Sequence, residues 1–137
     1  MANSTLRGSC LCGAVKYEVN GDPQRFYHCH CTRCRKATGT GHASNLLIKA
    51  DGIHWLQGEA QVALYKVPEA ERFTNSFCKT CGGRVPRYIA ELGFVMIPAG
   101  SLDHEPGITP QARIFQDSRV TWSCSGDNLP VFAAYPE

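Results

Sequence analysis

The sequence lacks any long apolar run; nothing in it approaches the ~20 consecutive residues that a membrane-spanning helix needs. That argues against a membrane partner. It also lacks charge of one sign. Fourteen Lys and Arg stand against twelve Asp and Glu, a net of +2, and no basic stripe gathers them. A nucleic-acid binder would need such a stripe. The first ten residues, Met1 to Cys10, contain no apolar stretch of the secretory type, so the expectation is a cytoplasmic protein. There is no internal repeat, no low-complexity run and no long amphipathic helix.

What the chain does have is cysteine. Eight occur in 137 residues, and seven of them fall into three clusters: Cys10-x-Cys12, Cys29-x-Cys31-x2-Cys34 and Cys78-x2-Cys81. Cys124 stands alone and reads as a free thiol. An even count permits disulfides, but a reducing compartment disfavours them, and CxC and CxxC pairs there suit metal ions. The length fits one domain, residues 1–137, with a hydrophobic content of 43% that can form a core.

Short β-strands dominate the pattern. Residues 1–9 read as a frayed lead-in. Ala14 to Val19 alternates as a strand does, and Asn20-Gly21-Asp22-Pro23 signals a turn. Arg25 to His28 is a second extended piece, leading into the Cys29 loop. Arg33 to Thr38 suits a helical turn or two, ended by Gly39. Further strands are expected at 44–49, 53–56, 61–67 and 72–77. Val85 to Ile89 and Gly93 to Ala99 read as a hairpin pair, and Ala112 to Phe115 as a last short strand. The fold class is therefore mainly β.

Cys78-x2-Cys81-Gly82-Gly83 is a strong half-site, because its glycines permit the positive-φ turn that wraps N–H groups around sulfur. It needs a second pair, and Cys10-x-Cys12 is available. A redox role for Cys78 and Cys81 would call for a βαβ context, which the pattern does not show. Seven clustered cysteines divide as four plus three, one closed zinc site and one open one. Spacing alone leaves the pairing open. Cys29, Cys31 and Cys34 could instead recruit His28, His30 or His42 and close a structural site.

Four motifs stand in order: Gly8-Ser9-Cys10-Leu11-Cys12-Gly13-Ala14-Val15, Cys29-His30-Cys31-x2-Cys34-Arg35-Lys36-Ala37-Thr38-Gly39, Phe77-Cys78-x2-Cys81-Gly82 and Gly100-Ser101-Leu102-Asp103. Over roughly residues 7–132 this resembles the glutathione-dependent formaldehyde-activating enzymes, a family that includes centromere protein V. The resemblance implies a single zinc-stapled β-tent of short antiparallel strands with two zinc ions per chain. It assigns Cys10, Cys12, Cys78 and Cys81 to a structural zinc. It assigns Cys29, Cys31 and Cys34 to a catalytic zinc whose fourth ligand comes from outside. The implied activity is that of a carbon–sulfur lyase, condensing formaldehyde with glutathione to S-(hydroxymethyl)glutathione. Two departures stand out: the family usually has Trp where this chain has Phe115, and Cys124 is not among its ligands, whereas Arg119 and Trp122 fit its tail.

Arg33 and Arg35, with Lys36, flank the open triad and are candidates for substrate carboxylates, or for donors to the sulfurs. His30, between two ligands, reads as structural, with a proton shuttle as the alternative. The competing functions are a related zinc enzyme for another thiol or aldehyde, and a non-catalytic zinc module or glutathione carrier. A sealed triad would favour the module.

Overall fold

The computed structural model describes residues 4–123 and 128–136. Among the described residues nine strands carry it: β1 (Ser4–Ser9), β2 (Lys16–Cys29), β3 (Ala43–Lys49), β4 (His54–Gln57), β5 (Val62–Lys66), β6 (Thr74–Cys78), β7 (Arg87–Ile89), β8 (Phe94–Pro98) and β9 (Ala112–Ile114). A single α-helix among the described residues, α1 (Thr32–Thr38), follows β2. Seven strands form one curled sheet in the order β1-β2-β3-β8-β7, with β4 and β9 also on β2, while β5 and β6 form a separate hairpin. The fold is mainly β, as the sequence pattern implies.

Two local expectations are corrected. The lead-in is not frayed where it is described: Ser4–Ser9 pairs antiparallel with β2, from Ser4 against Gly21 to Ser9 against Lys16. Asn20-Gly21-Asp22-Pro23 is not a turn either; it lies within the 14-residue β2. The physical reason is a change of partner. Residues 16–21 of β2 pair with β1, and residues 22–29 pair with β3 across an irregularity between Pro23 and Arg25. Pro23 cannot donate to a ladder, and an irregularity is where a strand tolerates it. Gly21 lets the backbones close in, since a Cβ there would collide with the carbonyl of Lys49. The same residues that spell a turn can thus bend a strand around a sheet corner. A third difference is β9, which pairs parallel with β2 from Tyr27–Ala112 to Cys29–Ile114, although the other ladders are antiparallel.

The core follows the period-two rule. Tyr17 and Val19, Leu46 and Ile48, and Val95 and Ile97 are alternate residues of β2, β3 and β8, and all six are fully buried. Leu6 and Phe26 complete this cluster. The Gly100-Ser101-Leu102-Asp103 motif serves the frame. Ser101 Oγ shares a hydrogen bond of 2.5 Å with the Tyr17 hydroxyl, and Ser9 Oγ donates to Asp103 Oδ1 at 2.8 Å. Among the described residues no helix is long and apolar enough to cross a membrane. Cys124 lies outside the described residues.

Candidate metal centres and the adjoining cavity

The two CxC and CxxC segments fold into matching knuckles. At the first, Gly13 N–H donates to the Cys10 carbonyl at 3.0 Å, and Val15 N–H points at Cys10 Sγ at 3.3 Å. At the second, Gly82 N–H donates to the Cys78 carbonyl at 2.8 Å, and Gly83 N–H points at Cys81 Sγ at 3.4 Å. Gly13 and Gly82 hold φ of 82° and 75°, a left-handed conformation that glycine adopts without cost. The knuckles face one another, and the four sulfurs lie within 4.8 Å of each other. Cys10 and Cys12 sulfurs are 3.7 Å apart, and Cys12 and Cys78 sulfurs 4.0 Å. A tetrahedral ion with metal–sulfur bonds of ~2.3 Å would set its ligands roughly 3.8 Å apart, so the donor set fits such an ion.

The second group is built from a strand end and a helix start. Cys29 closes β2, Cys31 is the extended residue capping α1, and Cys34 lies in the first turn. The Cys34 N–H donates to Cys31 Sγ at 3.2 Å. Asn45 on β3 offers its amide to Cys34 Sγ at 3.8 Å. These three sulfurs also lie within 4.8 Å of one another, and among the described residues no further Cys, His or carboxylate joins them. Among the described residues the triad is open rather than sealed.

Crowded thiols titrate jointly. A hydrogen bond from Cys34 is the main influence bringing Cys29 down to about 6, against the opposing effect of burial, while Cys34 itself is driven far up by Cys29 and by burial. In the other group, the N–H of Cys12 first and that of Gly83 second hold Cys81 at about 6. Each cluster thus favours partial ionisation, and a cation is what lets all its sulfurs ionise together. No disulfide joins the seven described cysteines.

The triad opens into a cavity of about 410 Å³. Cys29, Cys31 and Cys34 lie on its wall with Arg33, whereas Arg35 does not line it. Arg35 Nε is buried without a hydrogen-bond partner among the described residues. His30 is also off the cavity. It is fully buried, its ring lies 5.2 Å from that of His42, and Ser123 Oγ is 3.4 Å from its Nδ1. Sequence reasoning missed Asn45, Phe73, Arg84 and Arg87, all on the cavity wall. Spacing could not reveal them, because they come from two strands, β3 (Asn45) and β7 (Arg87), and from two positions outside the strands, Phe73 and Arg84. The nearest signal is the pair of arginines around Pro86, breaking an otherwise apolar strand pattern. Phe115 lines the cavity too, 63% exposed and at φ 55°, a conformation unusual for a bulky residue.

Comparison with known proteins identifies the family. The model of a family described as "Glutathione-dependent formaldehyde-activating enzyme" matches residues 5–118. The chain belongs to this family. A protein of Halomonas elongata that carries the name "Putative glutathione-dependent formaldehyde-activating enzyme" is 38% identical over 142 aligned positions, covering 96% of this chain and 89% of the relative. A crystal structure of a Rhodobacter sphaeroides protein shares the fold of this formaldehyde-activating family member, with a TM-score of 0.60 at 22% identity over 79% of this chain and 98% of that one. The matched span of the family model takes in all seven clustered cysteines and all three cavity arginines, Arg33, Arg84 and Arg87.

Proposed function

We propose that this protein is a zinc enzyme of the carbon–sulfur lyase type that joins glutathione to formaldehyde, giving S-(hydroxymethyl)glutathione. Cys10, Cys12, Cys78 and Cys81 hold a structural zinc, and Cys29, Cys31 and Cys34 hold a catalytic one. The observation that carries this reading is the contrast between a four-sulfur set, complete in itself, and a three-sulfur set opening onto a cavity. Structural zinc uses four protein ligands, and catalytic zinc keeps one position free. When bound at the triad, zinc supplies a position at which a thiol is held deprotonated.

The chain's own residues do the rest. Cys29, Cys31 and Cys34 set the charge of the centre, and three thiolates weaken carbonyl polarisation relative to neutral imidazoles, so the triad suits thiol binding. Asn45 fixes Cys34 through its amide. Phe73 and Phe115 put apolar surface on the cavity wall that also carries the three sulfurs. In the reaction the glutathione sulfur bonds to the formaldehyde carbon, the carbonyl π bond breaks, and the thiol proton ends on the new hydroxyl. His30 takes no part in moving it, being buried away from the cavity.

The test is the rate of S-(hydroxymethyl)glutathione formation, followed by NMR exchange between glutathione and formaldehyde. Protein loaded with two zinc ions should accelerate it over the spontaneous reaction. The Cys31→Ser variant should keep the fold, lose one zinc and lose the acceleration. A fully loaded protein that leaves the rate unchanged, or an active Cys31→Ser variant with one zinc, refutes the proposal.

A further inference from the structure

The cavity beside the triad is electrically one-sided. Arg33, Arg84 and Arg87 line it, and no Asp or Glu does. Arg33 is exposed on α1, where water solvates it. Arg84 and Arg87 are only partly exposed, and neither makes an ion pair among the described residues. Arg84 Nε donates to Asn75 Oδ1 at 2.8 Å, a neutral acceptor that leaves the positive charge uncompensated. Arg87 Nε is shielded from solvent and has no hydrogen-bond partner among the described residues. The neighbouring carboxylate, Glu91, is engaged by Arg72 at 3.3 Å. Register explains how Arg87 reaches the cavity: on β7 it stands opposite Met96 of β8, and both line the wall.

Burying guanidinium without a counter-charge is unfavourable, and buried charges are ordinarily paired. Burial lowers the affinity of both arginines for their protons. Nearby Cys34 offsets this in part for Arg84, and Glu91 in part for Arg87, but Glu91 is itself engaged by Arg72 and Arg87 Nε has no hydrogen-bond partner among the described residues. Planar guanidinium suits one ligand group above others, a carboxylate held by two parallel N–H bonds.

We propose that Arg84 and Arg87 form the carboxylate-recognition wall of the cavity, selecting thiols that carry an acid group over neutral thiols. This rests on the reading of the triad as the thiol-binding centre. Arg87 is the principal contact and Arg84 the support, since Arg84 Nε is already tied to Asn75 whereas Arg87 Nε has no partner among the described residues.

The experiment is calorimetric binding to zinc-loaded protein, with glutathione, its diester, 3-mercaptopropionate and neutral 2-mercaptoethanol as probes. Arg87→Met should weaken glutathione and 3-mercaptopropionate on the order of 10- to 100-fold, the range of a lost charge-assisted bond. It should leave 2-mercaptoethanol within about twofold, with metal content unchanged. The diester should bind wild-type protein weakly and be indifferent to the substitution. Arg87→Lys should recover part of the loss, and Arg84→Met should give a smaller loss of the same selectivity. Equal weakening of all four probes, or none, overturns the proposal. If 3-mercaptopropionate shows the arginine dependence and glutathione does not bind, the carboxylate wall stands and glutathione falls as substrate. If glutathione binds and reacts alike in wild type and both variants, the proposed function stands and the wall falls. If no probe binds the loaded protein, both fail.

Discussion

The double variant Cys12→Ser/Cys81→Ser separates the two metal groups by their effect on stability. These positions are chosen because Cys12 is exposed and Cys81 only partly buried, so serine costs little packing, unlike at fully buried Cys78. Two sulfurs then remain, too few to hold a four-coordinate ion firmly. The lost restraint can be sized from the chain it closes. Cys12 and Cys78 are 66 residues apart. Closing a loop of that length removes about 4 kcal/mol of unfolded-chain entropy by the relation used for cross-links. With an unfolding entropy of about 2.1 cal/mol/K per residue, that corresponds to a fall of about 14 °C in melting temperature. Cys29 and Cys34 close only a five-residue segment, for which the same relation gives about 2 kcal/mol, so Cys31→Ser should fall no more than about 7 °C. Scanning calorimetry, paired with metal analysis by mass spectrometry, makes the measurement. Each variant should lose one zinc, with the double variant falling about twice as far. If the double variant keeps two ions, or if Cys31→Ser melts as low as the double variant, the division into structural and open sites is wrong.

Two further expectations concern the frame. Gly58→Ala should destabilise by clearly more than Gly39→Ala in urea melts: both glycines hold positive φ, 77° and 74°, but a Cβ on Gly58 runs into the Ala14 carbonyl, while Gly39 faces open space. Gly39→Ala should cost about 1–2 kcal/mol, and equal losses would refute the steric argument. Tyr17 is fully buried, and desolvation pushes its phenol above the ordinary range, so the folded state keeps a proton that the unfolded state releases above about 10. Stability should therefore drop as pH rises through that value, and Tyr17→Phe should flatten the drop in urea melts at roughly pH 9 and 11; an unchanged slope would count against it.

The cysteine framework was legible because its physics is local. A CxxC-Gly-Gly knuckle needs neighbours at fixed offsets, and the sequence displays them. Strands such as 44–49 and 112–115 were legible for a similar reason, lying close to β3 and β9. What escaped was non-local. Asn20 to Pro23 has the composition of a turn, and only the exchange of partners, β1 for β3, makes it a bend in one strand. The parallel pairing of β9 depends on where the loop after Asp103 returns. Little in the local pattern marks Arg84 and Arg87, which come to the cavity only in the folded sheet. Arg35, adjacent to the triad in sequence, is off the cavity because a helix turns it away.

The second knuckle ends where the cavity wall begins: Cys81, Gly82 and Gly83 run directly into Arg84. Gly83 N–H is aimed at Cys81 Sγ, so an ion held by the four sulfurs fixes the backbone one residue from a wall guanidinium. Two binding events then share one short stretch of chain. Linkage requires the effect to be reciprocal. To the extent that the four-sulfur ion orders Arg84 for an acidic thiol, occupancy of the cavity must tighten the hold on that ion by the same factor.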